Sequence, residues 1–210
     1  DVYKRQPWQY SSETGSIAPQ PDFAIGGSPD LQQESGTTHI SVVDQAGNMA
    51  CATPSGGAFD KSVFFSELGF AISTRSEMFN LTAGHPNCVA PGKRPRTTII
   101  NFMLAREDTL ITTIGCPGGD AQAQANLQLL LNTVVWGMNP QEAVESPRFS
   151  SLSVPNSFYP HDYLAGQLAL EDPFPLSTRD ALPNMGPHVT CVGTCGMGGT
   201  DTTRVPPPGV

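Results

Sequence analysis

The sequence predicts an α+β fold in which two antiparallel sheets stack and helices cover one outer face. Three observations lead there. Two hairpin patterns come first in the chain. A strongly periodic helix and a short second helix follow them, before further strands. The strands of both hairpins are too apolar to face water on two sides, so other layers must cover them.

The elements follow in order. Residues 7–36 carry many breakers and no apolar period, and read as loop. Thr37 to Asp44 alternates and is β-branched, which predicts a strand; "QAGN" is a turn, and Met49 to Thr53 returns as the second strand. "PSGG" at 54–57 breaks the pairing, and "GFAISTRSEMF" holds a short strand. "HPNCVAPGKRP", His85 to Pro95, is loop by composition. Thr97 to Leu104 and Thr109 to Ile114 flank "AREDT" and form the second hairpin. After "GCPGGD", the residues Leu127, Leu130, Leu131, Val134 and Val135 recur at helical spacing. Gly137 closes that helix. Asn139-Pro140 opens a second one, with Asn as N-cap and Pro at the first helical position, and Pro147 ends it. Arg148 onward, Leu164 to Leu170 and His188 to Val192 read as strands. Residues 200–210, "TDTTRVPPPGV", read as a tail cut short.

Composition excludes several classes. The 210 residues suffice for one domain with a core. The formal charge is -8, which argues against nucleic acid or an anionic membrane as partner. No apolar run approaches the roughly 18 residues that span a bilayer. Five cysteines (Cys51, Cys88, Cys116, Cys191 and Cys195) have scattered spacing and form no disulfide framework. The Cys191/Cys195 pair lacks the partners of a tetrahedral metal site, so the cysteines read as small buried hydrophobes. Residues 1–6, "DVYKRQ", match what a common transposase adapter encodes and are set aside as a scar, which would make the sequence a fragment.

Three stretches could carry chemistry. A threonine hydroxyl is a poor nucleophile at neutral pH. It can be activated by its own α-amine, whose reference pKa is about 7.7–8.0, if the preceding bond is cut. Gly36 before Thr37 permits the backbone geometry such a cut requires. Thr-Thr is also an ordinary way to begin a strand. "GCPGGD" leaves backbone N–H groups free at a helix N-terminus, fit for a phosphate, an oxyanion hole or a plain tight turn. The phosphate reading lacks the Lys-Ser/Thr of a P-loop. "PGKRPRTTII" places Lys93, Arg94 and Arg96 before the hydroxyls of Thr97 and Thr98, or is simply a basic loop entering a strand.

Taken together and in this order, "TTHISVVDQAGNMACAT", "PGKRPRTTI" and "GCPGGDAQAQANLQLLLNTVVWGMNPQEAVESPRF" resemble the small, catalytic subunit of the γ-glutamyltranspeptidases. The resemblance runs from Thr37 to Phe149. "ATPSGG" and "TRSEMF" look like a divergent bacterial branch. The resemblance implies a four-layer αββα N-terminal-nucleophile hydrolase fold, incomplete in this chain. It implies cleavage at Gly36-Thr37, with residues 7–36 ending the large subunit and 37–210 forming the small one. Thr37 would then be the nucleophile, Gly118 and Gly119 the oxyanion hole, and Ser55 the hydroxyl bonded to the nucleophile. Thr97 and Thr98 would stand where the family's substrate pocket usually has serines.

Two departures bear on the substrate. The family pocket has an Asn where this chain has Gly57. It has a Gln and an Asp for the substrate's α-amine near where this chain reads Arg75 and Met78, with Glu77 one residue away. Losing an acid opposite a buried ammonium costs several kcal/mol of binding, and Arg75 suits a carboxylate instead. The implied function is a γ-glutamyl amide hydrolase or transferase acting through an acyl-enzyme. The alternatives are an acylase for another amide, such as a β-lactam side chain or a small dicarboxylic amide, and a non-catalytic relative. The resemblance implies no cofactor and no metal. The implied partner is the large subunit of the same precursor, without which the fragment is expected to be inactive. Relatives are often periplasmic or extracellular.

Overall fold

The computed structural model describes residues 37–55, 63–107, 109–172 and 174–192, with the strand at 201–204. The first hairpin joins β1 (Ile40–Val43) to β2 (Met49–Ala52), pairing Ile40 with Ala52 and Val43 with Met49. Its turn is closed by Gly47 N–H donating to Asp44 O, while Asn48 N–H and side-chain amide both donate to the Asp44 carboxylate. A two-residue pair, β3 (Phe64–Phe65) with β4 (Phe70–Ala71), follows and leads into a 3-10 turn over Arg75–Met78.

The second hairpin is β5 (Asn101–Arg106) with β6 (Thr109–Gly115). Its first strand begins at Asn101 rather than at Thr97, and the reason is local. Thr97 Oγ1 accepts from Ile99 N–H. Ile100 N–H donates to Gln122 Oε1, and Ile100 O accepts from the Asn126 side-chain amide. Those bonds take the backbone groups that a ladder would need.

Gln122 and Asn126 belong to α1 (Ala121–Val134), the helix the apolar spacing predicts. Two further glutamines on this helix, one turn apart, finish the sheet beyond it. Gln128 exchanges two bonds with the Phe149 backbone and Gln124 two with the Ser151 backbone, along β7 (Phe149–Ser151). The polar letters of "AQAQANLQ" thus act as a surrogate strand. Between α1 and β7, α2 (Pro140–Glu145) forms as predicted, with a reciprocal cap. Asn139 Oδ1 accepts from Glu142 N–H, and the Glu142 carboxylate accepts from Asn139 N–H.

The C-terminal third departs most from expectation. β8 (Gln167–Glu171) pairs antiparallel with β7 but parallel with β9 (His188–Val192). The crossover carries α3 (Leu176–Ala181) and a 3-10 turn over Leu182–Met185. A six-residue helix just after Pro175 shows no readable period, so the sequence did not predict it. The segment read as a tail contains β10 (Asp201–Arg204), which pairs antiparallel with β6 on the side opposite β5.

Layering follows from alternation along β6. Thr113 Oγ1 donates to Ser41 Oγ of the first hairpin. Its neighbour Ile114 packs on the other side with Leu129 of α1 and Ala143 of α2, and all three are almost fully buried. The hairpin β1–β2, the sheet β10–β6–β5 and the helices α1 and α2 therefore stack as three layers. The outward residues Ile40 and Val42 of the hairpin are exposed, as are Val134, Val135 and Trp136 around the end of α1. Within β7–β9, Arg148 and Glu171 form a bidentate ion pair, each almost fully buried.

Candidate functional site

Thr37 and Ser55 face each other as an antiparallel bridge just outside the β1–β2 ladder, and Thr38 N–H donates to Pro54 O beside them. The bridge brings the two hydroxyls to 2.7 Å. Ser55 is held in turn by Ser73, whose hydroxyl donates to Ser55 O at 3.2 Å. Ser73 leads into the turn that carries Arg75, Glu77 and Met78. The guanidinium of Arg75 lies 5.2 Å above the centre of the Phe158 ring. Glu77 accepts from the Thr74 hydroxyl at 3.3 Å. Met78 is fully buried, so this position contributes core packing rather than a polar group.

At the far end of β6, Gly118 and Gly119 have φ of 125° and 54°, conformations that favour glycine. Their carbonyls accept the first helical bonds of α1, from Ala121 and Gln122. Among the described residues, neither glycine N–H donates a hydrogen bond. The next residue, Asp120, accepts from both the backbone N–H and the hydroxyl of Ser157, and Arg96 lies 3.8 Å from its carboxylate. These contacts engage a negative charge that would otherwise sit unpaired beside the glycine amides.

Of the predicted pocket hydroxyls, Thr97 is exposed, while Thr98 is buried with no partner for Oγ1 among the described residues. Gly36 and Gly57 lie outside the described residues. So does Cys195; the other four cysteines are free thiols. Cys116 is buried, and that burial pushes its thiol up to about 11, but Cys191 is exposed, contrary to the reading of the cysteines as buried. Among the described residues no cluster of His, Cys, Asp or Glu could hold a metal ion, and no helix is long and apolar enough to cross a membrane.

One group near Thr37 escaped the sequence reading. His39 is hydrogen-bonded at both ring nitrogens, Nδ1 with Thr53 Oγ1 and Nε2 with Ser41 Oγ, each at 2.8 Å. Thr53 donates onward to Asn101 Oδ1 at 2.9 Å. The available signal was alternation: His39, Ser41 and Thr53 are polar residues at inward positions of a hairpin otherwise read as apolar.

Residues 6–206 match the family model for gamma-glutamyltranspeptidase. The chain is 31% identical over 134 residues to a glutathione hydrolase proenzyme of Pseudomonas sp. (strain A14), covering 59% of this chain and 23% of that protein. It is 31% identical over 154 residues to an acylase ACY 1 proenzyme of Pseudomonas sp. (strain V22), covering 73% and 25% respectively. A solved structure of LmbA2991HD superposes with a TM-score of 0.78 at 34% identity, over 90% of this chain and 33% of that one. The chain therefore spans about a quarter of the length of these curated relatives.

Proposed function

The chain belongs to the gamma-glutamyltranspeptidase family, and from that premise we propose that it forms the catalytic part of an amide hydrolase or acyltransferase whose nucleophile is Thr37. The observation that carries this reading is the 2.7 Å contact between the Thr37 and Ser55 hydroxyls at the start of a strand.

In this reading, scission of the Gly36-Thr37 bond frees the Thr37 α-amine. That amine takes the proton from Oγ1 as the oxygen attacks the substrate carbonyl. Ser55 orients the Thr37 oxygen. The Gly118 and Gly119 N–H groups stabilise the tetrahedral oxyanion, which collapses to an acyl-enzyme as the Thr37 ammonium returns its proton to the substrate nitrogen and the substrate's amine departs. Water or an acceptor amine then attacks the ester and restores the Thr37 hydroxyl. Thr97 and Thr98 contribute substrate contacts, and the Thr98 hydroxyl, which has no partner among the described residues, supports that role. No step calls for a metal or cofactor.

The rest of the precursor, including its large subunit, covers the exposed outer face of β1–β2 and supplies the fourth layer of an αββα sandwich. The described chain by itself is inactive. Intact mass of the full-length protein is expected to show two polypeptides divided at Gly36-Thr37, and Thr37→Ala to leave one. An uncut protein with full amidase activity would overturn the reading.

A second reading concerns the acyl group and has its own support. Position 78 is a buried methionine and Arg75 is the cation of the same turn, which favours an acyl donor carrying a carboxylate over one carrying an ammonium. An acylase is also among the relatives. Comparing γ-glutamyl-anilide with glutaryl-anilide separates the two: the γ-glutamyl reading expects faster turnover of the first, the acylase reading of the second.

A further inference from the structure

We propose that His39 is a positioning residue that sets the spacing between the Thr37 hydroxyl and the amides of Gly118 and Gly119. The inference rests on the assignment of Thr37 as nucleophile and of the two glycines as oxyanion donors.

His39 stands two residues after Thr37, and its ring reaches across to the neighbouring sheet. It lies against the backbone of Gly115, the last residue of β6 and three residues before Gly118. A Cβ built on Gly115 would sit 2.1 Å from His39 Cε1 and 2.2 Å from Nδ1, far inside contact distance. Only a bare glycine admits the ring there. The nucleophile strand and the strand feeding the oxyanion loop thus meet at one keyed point.

Hydrogen bonds fix the ring at that point. Thr53 has one hydroxyl hydrogen and gives it to Asn101 Oδ1, so its oxygen accepts from Nδ1–H of His39. His39 Nε2 then accepts from the Ser41 hydroxyl, and Ser41 Oγ accepts from Thr113. The chain of donors runs one way from Thr113 to Asn101, with the proton assigned to Nδ1 by the network. Asn101 is also the residue paired with Gly115 in the ladder. The array therefore ties β1, the residue that follows β2, β5 and β6 together at the position the ring occupies. An apolar contact between two sheets tolerates small sliding, whereas directional bonds around a ring seated on bare backbone do not. A displacement on the order of 1 Å between nucleophile and oxyanion donors is enough to cost about 100-fold in rate.

The test uses the full-length precursor, with rates taken per cleaved molecule, and compares Gly115→Ala, His39→Ala, the double variant and His39→Asn. Gly115→Ala is expected to lower kcat for anilide hydrolysis by about 100-fold with KM little changed. The double variant should regain much of that loss, because removing the imidazole leaves room for the new Cβ. His39→Ala alone should lower kcat by about tenfold, and His39→Asn, which retains a donor toward Thr53, should restore part of it. If Gly115→Ala fails to fold, the two single His39 variants decide. Unchanged kcat in His39→Ala, with only thermal stability reduced, overturns the proposal, as does a double variant whose losses simply add. Thr37→Ala, expected to stay uncut and so assayed per total protein, separates the two levels. If it retains turnover, the underlying nucleophile assignment fails. If it is inactive while His39→Ala keeps full kcat, the positioning role alone fails.

Discussion

Thr37 Oγ1 and Ser55 Oγ lie 2.7 Å apart across a backbone bridge, and the Ser55 carbonyl is itself held by the Ser73 hydroxyl. The contact spans 18 positions of sequence and depends on the β1–β2 register. In the proposed role as nucleophile, a Thr37 oxygen restrained in this way loses less rotamer freedom on the path to attack.

Ser55→Ala removes one neutral hydrogen bond from that oxygen without disturbing the ladder. The expected result is a drop in kcat of about tenfold, equivalent to about 1.4 kcal/mol, with Ser55→Thr close to the parent. Steady-state kinetics on an anilide substrate measures it. Equal kcat in parent and Ser55→Ala would show that the contact does not guide the nucleophile.

Arg148 and Glu171 make a different kind of contact. Glu171 accepts from Arg148 Nε, from Nη2 and from its backbone N–H, and both side chains are almost fully buried. Removing one charge strands the other in a poorly solvated place. Glu171→Gln should therefore lower stability by about 3 kcal/mol, while Arg148→Met with Glu171→Leu together should lose far less. Urea unfolding midpoints of the full-length protein give the comparison.

His85 makes stability depend on pH. Its pKa lies below the ordinary 6.5, first because burial disfavours the charged ring and then because His161, Lys93 and Arg96 repel it. Its Nδ1 also accepts from Asn87 N–H, a bond that protonation there would break. The native state thus binds fewer protons than the unfolded state just below about pH 6.5, so stability rises with pH in that window and falls on acidification. His85→Gln should flatten the thermal-midpoint curve below about pH 6.5 and leave it nearly unchanged above about pH 7.5. An equally steep acid loss in the variant would assign the effect to other groups.

Much of this molecule was legible in local patterns. Alternation marked the first hairpin, two apolar β-branched runs marked the second, apolar spacing marked α1, and Asn139-Pro140 with Pro147 marked α2, because those signals depend on neighbours within a few residues. The ordered motifs from Thr37 to Phe149 sufficed for the family. Tertiary structure alone decided the parallel pairing of β8 with β9, the strand at Asp201–Arg204, the late start of β5 and the seat of His39 on Gly115. Each of these turns on which distant partner satisfies a backbone group or fills a space: Gln122 for Ile100, β6 for β10, an absent Cβ for an imidazole. Periodicity records which side of an element is buried, and carries no information about what it is buried against.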